Sequence, residues 1–508
     1  MKKLGNSLLV LLLCACFLFT AACSKNPSSD VDSGFTSDTA FTESEITDSQ
    51  LEDQADDTTN SSTSTTTSNK SSQAASTGST ASEPGRTNSA NGKVLKDIKI
   101  ASGTKKMDSG LNFGGKKLTM LIWSEVYDDS MKQMIAAYEK QFNCTVDVST
   151  TPFSNYLTAI SNSITNGKPY DIVRMHGSLY PRSIISNLLE PMESGFTTAD
   201  LVKSGNTAAG GIDLEKSKYF AWGNKLYAVC EREAAPLQIM LYNKLKFKDD
   251  LGVDPLDLYK KGQWTWDKIK ELGQKVTKPE NNVYFGDYTF VSTKVFAQAN
   301  DAHVIKNVNG VLKENLLDAN MFNALKYIQS ISQGKNSILT SQGSADNFTL
   351  MKDGTTYMFC TETAKISLFA EQAAKSQAFG KNANNMGVVP LPLGPDNKTG
   401  AYPANWLVGF SACRTKDVTP AIAMLKFSST WEGSSSSYKM DSYVAAQLDK
   451  FYDNINYCDY GFSTADTKLD TVMANIENRV YMGEDITKVL KEKQSIVQGV
   501  IDSCLDYQ

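Results

Sequence analysis

Histidine and cysteine most often carry acid–base, metal and nucleophilic chemistry, and in this chain they are few or scattered. There are two histidines, His176 and His303, and nine cysteines. Cys144, Cys230, Cys360, Cys413, Cys458 and Cys504 lie far apart with no C-x-x-C pair, which excludes a zinc ribbon or a dithiol redox centre, and no metal or cofactor is expected. An even number outside the cytosol permits disulfides, but Cys144, Cys230, Cys360 and Cys413 sit in or beside apolar runs, which favours buried free thiols. Gly110 to Lys116 fits the phosphate-loop pattern G-x4-G-K. Lys117 nevertheless replaces the Ser or Thr, and a strand pattern comes next instead of a helix, so no helix amino terminus is available for phosphate. The sequence has no G-x-S-x-G, H-E-x-x-H or EF-hand pattern. Carboxylates are plentiful, and counting alone leaves a glycosidase pair open. What stands out instead is aromatic, hydroxyl and carboxyl side chains just past apolar runs. Trp123, Ser124, Glu125, Tyr127 and Asp128 follow one run, and His176 and Gly177 follow another. An aromatic face offers an apolar contact while neighbouring polar groups offer hydrogen bonds, which is chemistry of binding. Core packing for Trp123, a structural role for His176 and helix capping by Asp128 are the competing roles.

These residues need a scaffold, and the first half of the body alternates element types. Lys117 to Trp123 is a nearly continuous apolar run, as in a strand buried on both faces. Met131, Met134, Ile135, Tyr138 and Phe142 then recur at helical spacing after Asp129 and Ser130. Thr145 to Val148 reads as a second strand, and Tyr156, Leu157, Ile160 and Ile164 mark a second helix, closed by Gly167 with Pro169 just beyond. Asp171 to Met175 reads as a third strand. This order predicts right-handed crossovers and a parallel, doubly wound sheet, whose ligands bind beyond the carboxyl ends of the strands. Those ends are Trp123–Glu125 and His176–Ser178.

The 508 residues allow two to four domains. Lys+Arg 51 against Asp+Glu 56 gives net −5, so the chain as a whole lacks the basic surface of a nucleic-acid binder. The charge is uneven. Residues 24 to 92 hold 17 Ser and 13 Thr with 11 acidic and 3 basic side chains, a composition that cannot build a core. With Lys2 and Lys3 at the amino terminus, that leaves the body from residue 93 at +1. As a flexible linker the tract would span about 40 to 50 Å. Ahead of it, Lys2 and Lys3 precede an apolar run from Leu8 to Ala22, too short for a stop-transfer helix, which reads as an export signal over residues 1–23. Phe19-Thr20-Ala21-Ala22-Cys23 resembles the bacterial lipobox, with Thr20 where Leu is commonest. Cys23 is therefore the expected lipid-attachment site; Cys16 and an unlipidated secretory signal are the alternatives.

The passage from Leu118 to Met192 resembles the amino-terminal lobe of bacterial extracellular solute-binding proteins, the sugar-binding family of ABC importers. Further segments continue in the order of that family. These are Gly223 to Val229 with Leu241-Tyr242-Asn243-Lys244, Trp264-Thr265-Trp266-Asp267, Lys352 to Met358, Gly387 to Pro392, Trp406, and a helix from Ala421 to Phe427. Cys230 stands where a Pro is usual, and no Trp comes after Glu362.

The resemblance implies an α/β protein of two discontinuous lobes with doubly wound sheets, a type II periplasmic-binding-protein fold that closes on ligand about a hinge. Lobe 1 is expected at 93–235 and 362–418 and lobe 2 at 236–361 and 419–508, with crossings near Ala235, Glu362 and Thr419. It also adds cleft positions. Glu231 and Arg232 lie near the first crossing and either bind ligand or pair with each other; Glu362 and Thr363 come after the returning strand; Tyr402, Asn405 and Trp406 occupy a ligand-facing segment. Trp264 and Trp266 are expected to pack at a helix start. The expected function is an extracytoplasmic, membrane-anchored, monomeric receptor that delivers a solute, expected to be an oligosaccharide, to an ABC permease. A ligand-sensing module for a sensor kinase is the alternative, and an extracellular hydrolase the least favoured. No enzyme activity and no nucleic-acid partner are expected.

Overall fold

The computed structural model describes residues 98, 100–102, 110–180, 182–202, 210–222, 224–287, 293–308, 311–334, 337–340, 347–431, 438–457 and 469–505. The export signal 1–23 with Cys23, the tract 24–92, Cys458 and the Cys504 side chain lie outside them.

The first sheet is nucleated by β1 (Lys116–Trp123), in which Leu118, Met120, Leu121, Ile122 and Trp123 are all buried. It pairs in parallel with β2 (Cys144–Thr151), Trp123 opposite Thr151, and with β3 (Ile172–His176), Met120 opposite Ile172. Between β1 and β2 runs α1 (Asp129–Phe142), and between β2 and β3 runs α2 (Tyr156–Thr165). α1 buries Met131, Met134, Ile135, Tyr138 and Phe142, the five positions that share one face at a 3.6-residue period. Its end is set by Asn143 in the left-handed region at φ 48°, which Asn tolerates better than most residues.

The second sheet is different in kind. Its central strand β4 (Gln238–Asn243) is flanked by β5 (Met358–Glu362) and β6 (Met386–Pro390), both antiparallel to it. The doubly wound description thus holds for the first sheet and not for these three strands, which hydrogen-bond as antiparallel neighbours. Chain return to the first sheet occurs at β7 (Val408–Ser411), antiparallel to β3 with Val408 opposite His176.

This pairing moves two of the expected boundaries. Residues 362–418 divide: β6 belongs to the second sheet, and β7 belongs to the first. The helix α3 (Thr419–Ser428), expected in the second lobe, packs on the first. Tyr138 of α1 donates to the Pro420 carbonyl at 3.0 Å, and the buried ion pair Lys426–Asp200 (2.7 Å) holds its far end. The misassignment has a physical cause, since strand pairing is set by long-range packing that local sequence pattern does not encode.

Two chain crossings run side by side. Val408 N–H donates to the Ala234 carbonyl at 3.1 Å and Asn405 N–H to the Pro236 carbonyl at 3.0 Å, while Leu237 and Ala404 form an antiparallel bridge. Thr363 locks Leu237 from the other side, its N–H donating to the Leu237 carbonyl (2.9 Å) and its hydroxyl accepting from the Leu237 N–H (3.1 Å). Cys144, Cys230, Cys360 and Cys413 are buried free thiols.

Candidate functional site

Because β1, β2 and β3 are parallel, their carboxyl ends share one edge, and the side chains there meet. Trp123 ends β1, Phe153 lies just past β2, and His176 ends β3. The Trp123 ring makes edge contacts with Phe153 (5.6 Å between centroids), Tyr156 (5.5 Å) and His176 (6.1 Å). The Arg174 guanidinium lies 5.3 Å from its centroid. Trp123 is 1% exposed, so its faces are taken by neighbours, contrary to the open stacking surface its strand-end position suggests. Its Nε1 finds no acceptor among the described residues.

The accessible aromatic surface lies one layer further out. The His176 ring sits 5.7 Å from Trp406 at an interplanar angle of 31°, and both residues are only partly buried. His176 Nδ1 accepts the Ser178 N–H at 3.1 Å, which puts the proton of the neutral ring on Nε2. Trp406 is fixed by its edge. Its Nε1–H donates to Glu362 Oε2 at 2.8 Å, and Asn405 Nδ2 donates to the same oxygen at 2.7 Å. The other oxygen pairs with Lys365 Nζ at 3.2 Å. The Glu362 carboxylate is 3% exposed and has three donors from its own chain, as a buried charge requires. Sequence reasoning overlooked Lys365; its place three residues after Glu362, in the short turn Thr363–Lys365, was the available signal. Phe153 and Arg174 were missed as well. Phe153 gave no signal of its own, because its position depends on β2 ending beside β1.

The remaining expected residues fall elsewhere. Tyr402 is fully buried, stacked on Phe451 at 4.0 Å, its hydroxyl donating to the Gln238 carbonyl and accepting the Leu391 N–H, both at 2.7 Å. It is packed in the core beside the second sheet, with no surface open to a ligand in this structure. Thr363 is buried at the crossing. Arg232 does not pair with Glu231. It bonds Asp449 (2.7 Å) on the helix α4 (Ser442–Phe451) and Asp453 (2.8 Å) just beyond, and it also donates to the Asp449 carbonyl. These acceptors raise its pKa above the usual guanidinium value despite burial. Glu231 is partly buried, and desolvation together with the Glu233 carboxylate pushes it up to about 8. Asp128 caps α1 through the Met131 N–H (2.9 Å). Glu125 accepts the Phe153 N–H (3.2 Å) and the Ser124 hydroxyl (3.1 Å), which ties the rim formed by Ser124 and Glu125 to the aromatic cluster. Tyr127 sits partly buried near Lys132. Gly177 is buried, its N–H on the Leu407 carbonyl at 2.7 Å. Trp264 and Trp266 are buried, Trp266 Nε1 donating to the Pro392 carbonyl at 2.9 Å.

Two α/β lobes joined by paired crossing strands, with partly open aromatic rings where they meet, define a solute-binding architecture. Comparison with known proteins agrees. The family profile of the bacterial extracellular solute-binding protein matches residues 123–430, more than half of the chain, and the chain belongs to that family. Membership places its work outside the cytoplasm, and the family is one of binding proteins. No curated protein matches the chain. Among solved structures, the chain resembles an ABC substrate-binding protein of Listeria monocytogenes in complex with cycloalternan. That match has TM-score 0.52 and 14% identity and covers 76% of this chain and 99% of that one. It also resembles the sugar-binding protein MalE of Xanthomonas citri (TM-score 0.57, 12% identity, 76% and 98% covered). A third is the extracellular solute-binding protein of Staphylococcus aureus in complex with maltose (TM-score 0.56, 16% identity, 76% and 98% covered). At these identities the likeness is one of fold. No helix among the described residues is long and apolar enough to cross a membrane.

Proposed function

We propose that this protein is a lipid-anchored receptor that captures a neutral oligosaccharide between its lobes and presents it to an ABC permease. The observation that carries the reading is the state of Glu362. Its carboxylate is already bonded by Asn405, Trp406 and Lys365, so this site presents aromatic faces and bonded polar groups in place of an uncompensated charge. A charged ligand would lack a counter-ion at this carboxylate, whereas a sugar matches both features: apolar C–H faces for the Trp406 and His176 rings, and hydroxyls for the polar edges. The structural neighbours solved with cycloalternan and maltose point the same way. In this reading Trp406, His176 and Asn405 contact the ligand, Glu362 orients Asn405 and Trp406 from beneath, Ser124, Glu125 and Tyr127 line the rim, and Trp123 buttresses the platform from behind.

Anchoring rests on Cys23, and delivery to a permease on family membership. A ligand that binds only the folded state raises the melting temperature, so thermal-shift screening of neutral oligosaccharides against amino acids, peptides and anionic sugars tests the ligand class. Stabilisation by anionic or peptidic solutes alone would refute it. For the anchor, Cys23→Ala is expected to leave the membrane fraction after a salt wash; retention there would refute lipidation.

A further inference from the structure

Gly177 and Tyr457 meet where the two lobes touch. The backbone before Tyr457 belongs to the second lobe: Ile455 and Asn456 pair with Tyr402 and Pro403, the Asn456 carbonyl accepts the Ala404 N–H at 3.0 Å, and Asn456 Nδ2 donates to the Gln298 carbonyl at 3.0 Å. The Tyr457 ring, in contrast, lies on first-lobe residues. It meets Tyr219 edge-on at 5.3 Å, and its hydroxyl end rests on Gly177, next to His176 at the end of β3.

The glycine is explained by that ring. Its φ is outside the left-handed region, so the backbone there suits any residue. A Cβ on Gly177 would instead overlap the Tyr457 hydroxyl and lie 2.8 Å from Cζ. The missing side chain makes room for a tyrosine delivered from the other lobe. Tyr457 is buried, so the contact is packed rather than grazing.

We infer that Tyr457 is a positioning residue for binding: seated on Gly177, it holds the second lobe against the carboxyl edge of the first sheet and so sets how firmly the lobes embrace a ligand. The inference rests on the proposed hinge-closing function, but its consequence is present without ligand. Opening the lobes must unseat Tyr457 as well as part Arg232 from Asp449 and Asp453, and the energy of each contact enters the open–closed equilibrium.

Hydrogen exchange on the ligand-free full chain tests it. Tyr457→Ala is expected to speed exchange at the amides of Gly177 and Ser178, while amides in the β1–β2 pair and the crossing amides of Asn405 and Val408 remain as protected as before. Gly177→Ala should do the same, because its methyl ejects the ring, and the effects should not add: with Tyr457→Ala already present, Gly177→Ala should change exchange little. A merely structural role would raise exchange throughout the first sheet and lower the melting temperature, with no such coupling. Unchanged exchange at Gly177 in Tyr457→Ala, or a Gly177→Ala effect of full size in the double variant, overturns the inference. If Gly177→Ala does not fold, Tyr457→Ala alone still decides between these outcomes. Should no sugar stabilise the protein while this pattern holds, the ligand proposal fails and the contact stands. Where a binding sugar is found by the screen, Tyr457→Ala is expected to weaken its affinity on the order of tenfold, in the range of a packed interface aromatic.

Discussion

Trp123 and Trp406 stand at opposite sides of one aromatic cluster, linked through His176, yet they are held in different ways. Trp123 is enclosed on all sides, ringed by Phe153, Tyr156, His176 and Arg174, with its N–H lacking an acceptor among the described residues. Trp406 is gripped by its edge, through an N–H donated to a buried carboxylate, and keeps part of its surface open. A ring enclosed on all sides is core; a ring held by its edge is a platform. The same contrast separates the regions that carry them, a parallel sheet closed on both sides and a crossing strand whose partners are polar.

The largest expected effect comes from breaking the first kind of grip. Trp123→Ala should cost about 3 to 5 kcal/mol of folding free energy, as for other buried Trp and Phe truncations, visible in chemical denaturation with or without ligand. Trp406→Ala should instead cost about 2 kcal/mol in binding, roughly thirtyfold in Kd, and less in stability, by calorimetric titration with the sugar found by screening. If Trp123→Ala melts normally and loses affinity, the assignment of the two rings is reversed. Asp128→Ala, at the rim, should lower stability by about 1 kcal/mol through loss of the α1 cap and leave affinity unchanged; a fall in affinity would return Asp128 to the ligand contacts. A further effect, read only against pH, belongs to Glu231. Its folded pKa of about 8 lies above the ordinary carboxyl value of 4.5, so the folded protein binds this proton more tightly than the unfolded chain does. That contribution is fully present below about pH 4.5 and is lost as pH rises through about 8. Glu231→Gln should therefore flatten the decline in stability across that window and melt higher than the parent above it. An unchanged slope of melting temperature against pH would show that Glu231 is ionised throughout.

Local features of the fold were legible in the sequence. The apolar run ending at Trp123 and the spacing of Met131, Met134, Ile135, Tyr138 and Phe142 gave β1 and α1 because both depend on period alone. The second sheet was not legible. Nothing in Met358–Glu362 or Met386–Pro390 says that each will pair with Gln238–Asn243, so a lobe boundary at Glu362 falls too early. Site residues divided on similar grounds. Position in a segment is readable, but which side chain stays accessible depends on long-range packing, and of Tyr402 and Trp406, four residues apart, the first is fully buried and the second partly open. Lys365 escaped notice because its partner's burial, not its own position, gives it importance.

The paired crossings have a mechanical consequence. Two separate connections would let one lobe slide, twist or swing against the other. Here Ala234–Leu237 and Ala404–Val408 are tied laterally by backbone hydrogen bonds, with Pro236 stiffening one strand at fixed φ. A ribbon of that kind flexes across its thin dimension far more readily than it shears within its plane, because in-plane shear must stretch the bonds between its strands. The relative freedom of the lobes thus reduces to little more than one angle. Trp406 rides on the ribbon itself, so its indole turns with the flexure while Glu362 keeps hold of its edge.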